Sequence, residues 1–190
     1  MRPDADYPMT AIVYADGGAF ERFLQSEVAK LKQRGLRLAG LIQHSRPSEG
    51  SRKCDMSLQD LMTGDLYDIS EQRGRLATGC VLNTDYLLRA CEAAKAGLSQ
   101  NPDLLVLSKF GKSEVEGGGF RSLITAALDV GVPVVIGVPA VNLAPFREFA
   151  GDFAREIELA QLGADGLANS FRDVEKAAAP TLRREAAIAP

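Results

Sequence analysis

The sequence predicts a three-layer α/β fold built on a mostly parallel sheet, and three observations carry that prediction. Two segments, Leu104–Leu107 (LLVL) and Val132–Val138 (VPVVIGV), are continuous apolar runs, as expected of strands covered on both faces. Around them, apolar residues recur at helical spacing, as in Phe20, Phe23, Leu24, Val28 and Leu31, and again in Phe120, Leu123, Ile124, Ala127 and Leu128. Strands alternating with helices are the pattern of a parallel sheet between two helical layers. The chain has 190 residues, 46% apolar and 25% charged, enough to bury a sizeable core in one domain. We place that domain at residues 1–165 and expect 166–190 to be a loosely ordered C-terminal extension, because the tail from Ala177 onward is weakly patterned.

The elements follow in order. Met9–Tyr14 (MTAIVY) reads as a first strand, and Asp16-Gly17-Gly18 as a turn with a built-in helix cap. The Phe20–Leu31 helix ends in Lys30, Lys32 and Arg34, followed by Gly35. Leu36–Gln43 is a second strand, and the polar stretch His44–Lys53, with Pro47 and Gly50, reads as a loop. Cys54–Leu61 and Leu66–Ser70 are two strands joined through Thr63-Gly64-Asp65, a small β-hairpin insertion. After a polar connection, Arg73–Gly79, Asn83 or Thr84 caps a helix carrying Leu87, Leu88, Cys91, Ala94 and Leu98, which Asn101-Pro102 stops. Gly131 ends the Phe120–Leu128 helix, and a last helix is expected from Phe146 towards Leu162.

Composition excludes several functions. The net charge is −3 and no basic patch dominates, so nucleic acid is not the expected partner. No apolar run approaches the roughly 20 residues that span a bilayer, and the N-terminus lacks a charged-then-apolar signal pattern, so the expected location is the cytoplasm. His44 is the single histidine, which disfavours Ser-His-Asp or Cys-His chemistry. The three cysteines, Cys54, Cys80 and Cys91, form neither a disulfide framework nor a CxxC pair. Cys91 lies on the apolar stripe of its helix and belongs to the core. Cys54, Cys80 and His44 lie in or beside loops, but three scattered ligands without paired spacing read as ordinary side chains rather than a metal site.

Two strand–turn–helix junctions are candidate sites. At the first, Asp16, Gly17, Gly18 and Ala19 open a helix whose leading amides can meet an anion. A phosphate-binding loop would carry GxxxxGK[ST] here, whereas Glu21 and Arg22 stand near the Lys-Ser/Thr position. At the second, Lys109, Gly111, Lys112, Ser113, Glu114 and Glu116 crowd the carboxyl end of a buried strand, and Gly117–Gly119 let backbone approach a ligand closely. Gly111-Lys112-Ser113 is not itself a phosphate loop, since five residues before Gly111 stands Val106, inside the strand. Arg46, Arg52 and Lys53 form either a solvated run or one wall of an anion pocket.

The segment order resembles the thermophile-type nucleoside-triphosphatase family, a compact P-loop fold. Leu104–Glu114 (LLVLSKFGKSE) is similar to the strand and tail of that family, with Ser108-Lys109 in place of its Asp-Glu pair, and Asp16-Gly17-Gly18 stands where its P-loop would be. Both departures remove groups that hold Mg²⁺ and the γ-phosphate. A closer resemblance is to an uncharacterised bacterial family of P-loop ancestry, through Cys54-Asp55-Met56-Ser57-Leu58, Gly79-Cys80-Val81-Leu82 and the Phe110–Phe120 segment FGKSEVEGGGF. It covers roughly Thr10 to Phe153. Genes of that family often lie beside molybdate-transport or nitrogenase genes, so the resemblance implies a role in molybdenum handling.

These readings converge on a cytoplasmic small-oxyanion binding protein with degenerate P-loop motifs. The resemblance implies molybdate as the ligand, with a nucleotide the alternative. The Asp16–Phe20 turn supplies amides, Lys109, Lys112 and Ser113 supply donors, and Glu114 and Glu116 orient the lysines or bind a cation. The rivals are a nucleotide-dependent phosphohydrolase or transferase, whose cation would need Asp16, Glu114 and Glu116, and a ligand-free interaction or regulatory subunit. The expected partner is a small anion, not nucleic acid or a membrane, with self-association into a homo-oligomer an allowed further partnership.

Overall fold

A computed structural model describes residues 7–47, 54–71, 81–163 and 166–168. Strand β1 (Met9–Tyr14) is buried along its whole length. Helix α1 (Gly17–Gln33) turns Phe20, Leu24, Val28 and Leu31 inward, with Lys30 and Lys32 in its last turn, where cations meet the negative end of the helix dipole. Gly35 then reverses the chain at φ +86°. Strand β2 (Leu38–Pro47) leads to β3 (Cys54–Asp60) and β4 (Leu66–Asp68), and a small ribbon follows from β5 (Ser70–Glu71) and β6 (Val81–Leu82). Next come α2 (Thr84–Ala96), β7 (Leu104–Leu107), the single turn α3 (Lys112–Val115) and α4 (Arg121–Asp129). The domain closes with β8 (Val134–Pro139), α5 (Leu143–Ala150) and β9 (Ala154–Glu158).

The main sheet has seven strands in the order β4-β3-β2-β7-β8-β1-β9. The β2/β7, β7/β8, β8/β1 and β1/β9 pairs are parallel, and the β2/β3 and β3/β4 pairs are antiparallel. The expected α/β class, with mostly parallel sheet and hairpin insertion, is the architecture found. Residues alternate between two cores. Leu105 and Leu107 of β7 face α2, α4 and α5, whereas Leu104 and Val106 face α1. Gly40 of β2 has φ +115°, and a Cβ there would stand 2.0 Å from the Val106 carbonyl oxygen, so only glycine permits this β2–β7 approach.

Two boundaries differ from expectation. His44–Pro47 continue β2 instead of forming a loop, because β3 offers an antiparallel ladder beyond the end of β7, pairing His44 with Ser57 and Pro47 with Cys54. The remainder of that loop, with Arg52 and Lys53, the side chain of Arg46 and the Arg73–Gly79 connection lie outside the described residues. The expected Phe146–Leu162 helix is two elements. Helix α5 stops at Gly151, φ +52°, and Ala154–Glu158 pair with the open edge of β1. Residues of fair helix propensity thus become an edge strand because an unpaired ladder is available. Finally, Gly166–Ala168 form a 3-10 turn whose Leu167 is fully buried beside α1. The Leu167 amide donates to the buried Glu27 carboxylate (2.8 Å), which also accepts from Lys30 Nζ (2.7 Å). No described helix is long and apolar enough to cross a membrane.

Candidate functional site

The site region forms where β1, β2 and β7 end. Only Ala15 and Asp16 separate β1 from α1, too few to wrap a phosphate chain as a GxxxxGK[ST] loop does. Asp16 caps α1: its Oδ1 accepts from the Ala19 amide at 3.0 Å. That bond, above all, holds its carboxyl below the usual range. Tyr14 and Phe20 stack face to face across the junction, centroids 4.2 Å apart. Gly137 of β8 makes room for this pair, since a Cβ there would lie 2.3 Å from the Phe20 ring. Burial, with Glu21 adding, pushes the Tyr14 hydroxyl up to about 12, so it stays protonated at neutral pH.

The end of β7 is pinned on both sides. The Ser108 amide and hydroxyl both donate to the Leu41 carbonyl (3.0 and 3.2 Å), and the Gln43 amide donates to Ser108 Oγ (3.1 Å). The Phe110 amide donates to the Gly137 carbonyl (2.7 Å), and Asn142 Nδ2 donates to the Phe110 carbonyl (2.9 Å). The Phe110 ring is fully buried against Phe146 and Phe149. Lys109 sits between these two anchored residues and is itself exposed. The backbone on either side of this exposed lysine is thus fixed.

Two clefts meet at this point. The first, about 360 Å³, is lined by Tyr14, Gly17, Gly18, Phe20, Glu21, Gln25, Gln43, Ser108 and Lys109, among others. The second, about 240 Å³, is lined by Lys109, Gly111, Lys112, Ser113 and Glu114 over an apolar floor. Gln43, Ser108 and Lys109 belong to both. The expected single crevice is therefore divided: Lys109 shares the first cleft with the Gly17 turn, and Lys112 and Ser113 line only the second.

The remaining expected site residues take other positions. Asp16 and Ala19 are bound to each other and line neither cleft. Glu114 is buried and staples the glycine-rich turn: Oε2 accepts from the Gly111 amide (2.7 Å) and Oε1 from the Phe120 amide (2.8 Å). Gly119, at φ +57°, has no room for a Cβ beside that carboxylate. Burial raises the Glu114 pKa against the pull of those amides and of Lys109. Arg121 Nε donates to the Glu114 carbonyl, and its guanidinium lies 4.7 Å from the Phe149 centroid. Glu116 is exposed, pairs with Lys112 at 3.6 Å and lines neither cleft. Glu114 thus holds the turn, and Glu116 lies beside Lys112 on its surface.

His44 Nδ1 lies 3.2 Å from Gln25 Nε2, and Nε2 lies 3.1 Å from Gln59 Oε1. This pattern fits the Nε2–H tautomer and engages both ring nitrogens. Cys80 and the Cys54 side chain lie outside the described residues. Among the described residues no three His, Cys, Asp or Glu side chains converge on one point. Burial pushes the Cys91 thiol up to about 12, and it is a core residue as expected. Sequence reading missed the glutamines of the first cleft. Gln25 follows Glu21 by four residues on one face of α1 and bonds to it at 3.4 Å, a spacing that marks them as neighbours.

Fold and clefts together define a three-layer α/β protein with a candidate ligand site at the carboxyl edge of its sheet. The chain belongs to the family described as protein of unknown function (DUF2478), whose model matches residues 9–164. A 143-residue stretch is 29% identical to the molybdenum import ATP-binding protein ModC 2 of Bradyrhizobium diazoefficiens, and it makes up 75% of this chain but only 16% of that protein. The fold is that of THEP1 from Aquifex aeolicus. The two structures share a TM-score of 0.58 at 18% identity, over 87% of this chain and 98% of THEP1. This agrees with the fold expected from the resemblance to thermophile-type nucleoside triphosphatases.

Proposed function

We propose that the protein binds a small tetrahedral oxyanion, molybdate, in the first cleft, through the Lys109 ammonium and the leading amides of α1. The observation that carries this reading is that Gly17, Gly18 and Lys109 line one cleft at the carboxyl ends of parallel strands, the usual ligand position in open α/β sheets. Helix α1 runs from Gly17 to Gln33, and its start carries partial positive charge. Lys109 makes no hydrogen bond or ion pair with a described residue, so it is available to an anion. The Asp16 carboxylate occupies the Ala19 amide, and an entering dianion competes with it there. The Tyr14–Phe20 pair supplies an apolar wall that strengthens the charge contacts by excluding water. The molybdenum named in the ModC 2 relative supports this choice of oxyanion. We place the protein in the cytoplasm, where such an ion would be received.

On this reading the described residues offer a magnesium nucleotide fewer ligands than an oxyanion. The β1–α1 turn is short, the Ser108 hydroxyl is committed to β2, and both Glu114 oxygens accept backbone amides. Asp16 caps its own helix.

Calorimetry and thermal melting with molybdate, tungstate, sulfate and phosphate test the proposal. Ligand at a hundred times its Kd adds about 2.7 kcal/mol of stability, a rise of about 5–11 °C for a chain of this size. Lys109→Ala removes one charge-assisted bond of about 1.5–3 kcal/mol and so weakens binding about tenfold to a hundredfold. The proposal fails if no oxyanion shifts the melt at millimolar concentration, or if Lys109→Ala binds as the wild type does.

A further inference from the structure

The second cleft differs in chemistry from the first, and nothing in the oxyanion proposal uses it. Its floor is apolar and comes from four parts of the fold: Leu58 of β3, Ile69 before β5, Leu87 of α2 and Phe120 ahead of α4, all buried. Met56 and Leu82, half-buried, form its sides. An inorganic oxyanion gains nothing from such a surface, because its oxygens would face methyl groups instead of donors. The polar groups gather along the segment after β7, where Lys109, Lys112 and Ser113 line the cleft.

Lysines outnumber carboxylates among the described residues lining that rim. Among the described residues that line the cleft, two lysines stand with one carboxylate, Glu114, each of whose oxygens accepts a backbone amide, from Gly111 or Phe120. The Lys112 side chain is 86% exposed and held only loosely by Glu116 at 3.6 Å, a surface pair that contributes little. An apolar chamber with a cationic rim suits a molecule of matching polarity, an apolar body bearing one anionic head. The volume of about 240 Å³ lies below the roughly 300–1,000 Å³ of drug-sized sites, so the body is small, on the scale of one ring or a short branched chain.

We propose that the second cleft is a binding site for a small organic anion, with the body on Leu58, Ile69 and Leu87 and the carboxylate or phosphate on Lys112 and Ser113. Lys109, common to both clefts, places the two ligands next to one cation. An anion in one cleft therefore weakens the other, and the coupling is reciprocal.

The test uses the whole chain, methyl-labelled at Leu, Ile and Met, with benzoate and phenyl phosphate as probes for the two head groups. Benzyl alcohol and inorganic phosphate serve as body-only and head-only controls. One or both aromatic anions are expected to shift the Leu58, Ile69 and Leu87 methyl signals in a saturable manner, and whichever binds names the head group. Neither control should match that affinity. Lys112→Ala, a change at an exposed side chain that leaves the fold intact, should weaken binding about tenfold and leave molybdate binding in the first cleft unchanged. Methyl signals unmoved by either anion, benzyl alcohol binding as tightly, or Lys112→Ala binding as wild type would each overturn the inference. Molybdate affinity is measured separately, so failure of one site is distinguishable from failure of the other.

Discussion

Replacing Gly137 by alanine tests how the sheet, α1 and the end of β7 are fitted together. The added Cβ would lie 2.3 Å from two carbons of the Phe20 ring and 2.5 Å from the Ser108 carbonyl oxygen. Real side chains do not tolerate such contacts, so something must move. The Ser108 carbonyl is hard to shift, because its residue is tied to Leu41 and Gln43 and the next amide but one is tied to Gly137 itself. Phe20 must therefore leave its stack on Tyr14. Overpacking of this kind costs about 1–3 kcal/mol, and the backbone contact places this case near 3 kcal/mol. For a chain of this size that lowers Tm by about 6–12 °C. Phe20→Ala alone should cost about 3–5 kcal/mol. The double variant should be less destabilised than the sum by more than about 1 kcal/mol, since removing the ring removes one of the two clashes. Urea unfolding followed by circular dichroism gives all four stabilities. A Gly137→Ala protein within about 0.5 kcal/mol of wild type, or strict additivity with Phe20→Ala, would refute the close packing inferred at this junction.

Other outcomes follow from contacts remote from that junction. Glu27→Ala leaves the buried Leu167 amide without its acceptor, which should cost about 1–3 kcal/mol and speed proteolysis near Gly166; an unchanged cleavage pattern would remove Glu27 as the clasp of that turn. Arg147 Nε and Nη2 each lie 2.7 Å from a Glu156 oxygen, and this bond, chiefly, depresses the Glu156 pKa below 4.5. A depressed carboxylate stabilises the fold above its unfolded pKa, so this contribution is present above about pH 4.5 and disappears as pH falls through the lower folded value. Glu156→Gln should accordingly flatten part of the acid limb of a urea-midpoint profile between pH 6 and pH 3, and identical limbs in both proteins would contradict the pairing.

The layer structure was legible because burial on both faces leaves a direct mark, as LLVL and VVIGV show. The hairpin at Thr63-Gly64-Asp65 was legible for a similar reason: Gly64 sits at φ +83°, a conformation glycine adopts freely. Strand β9 was not legible. Its sequence AREIE has no strong β preference, and only the open edge of β1, distant in sequence, makes it a strand. The site divides in the same way. Strand-end position drew attention to Lys109, which lines both clefts. The structural role of Glu114 was hidden, because nothing local in the sequence announces that its carboxylate accepts the Gly111 and Phe120 amides. The partition of the crevice depends on where Gln43 and Ser108 meet, a tertiary contact between β2 and β7 that no local pattern announces.

The central claim is that Lys109 and the start of α1 form an oxyanion site, and an anomalous-difference map from crystals soaked in tungstate tests it most directly. Tungstate has the shape and charge of molybdate and scatters strongly, so its position is read without interpretation of weak density. The account predicts one dominant peak in the first cleft, within about 3 Å of Lys109 Nζ and facing the Gly17 and Gly18 amides, and no such peak in Lys109→Ala crystals. A dominant peak elsewhere, or one that persists at full height without the lysine, would contradict it.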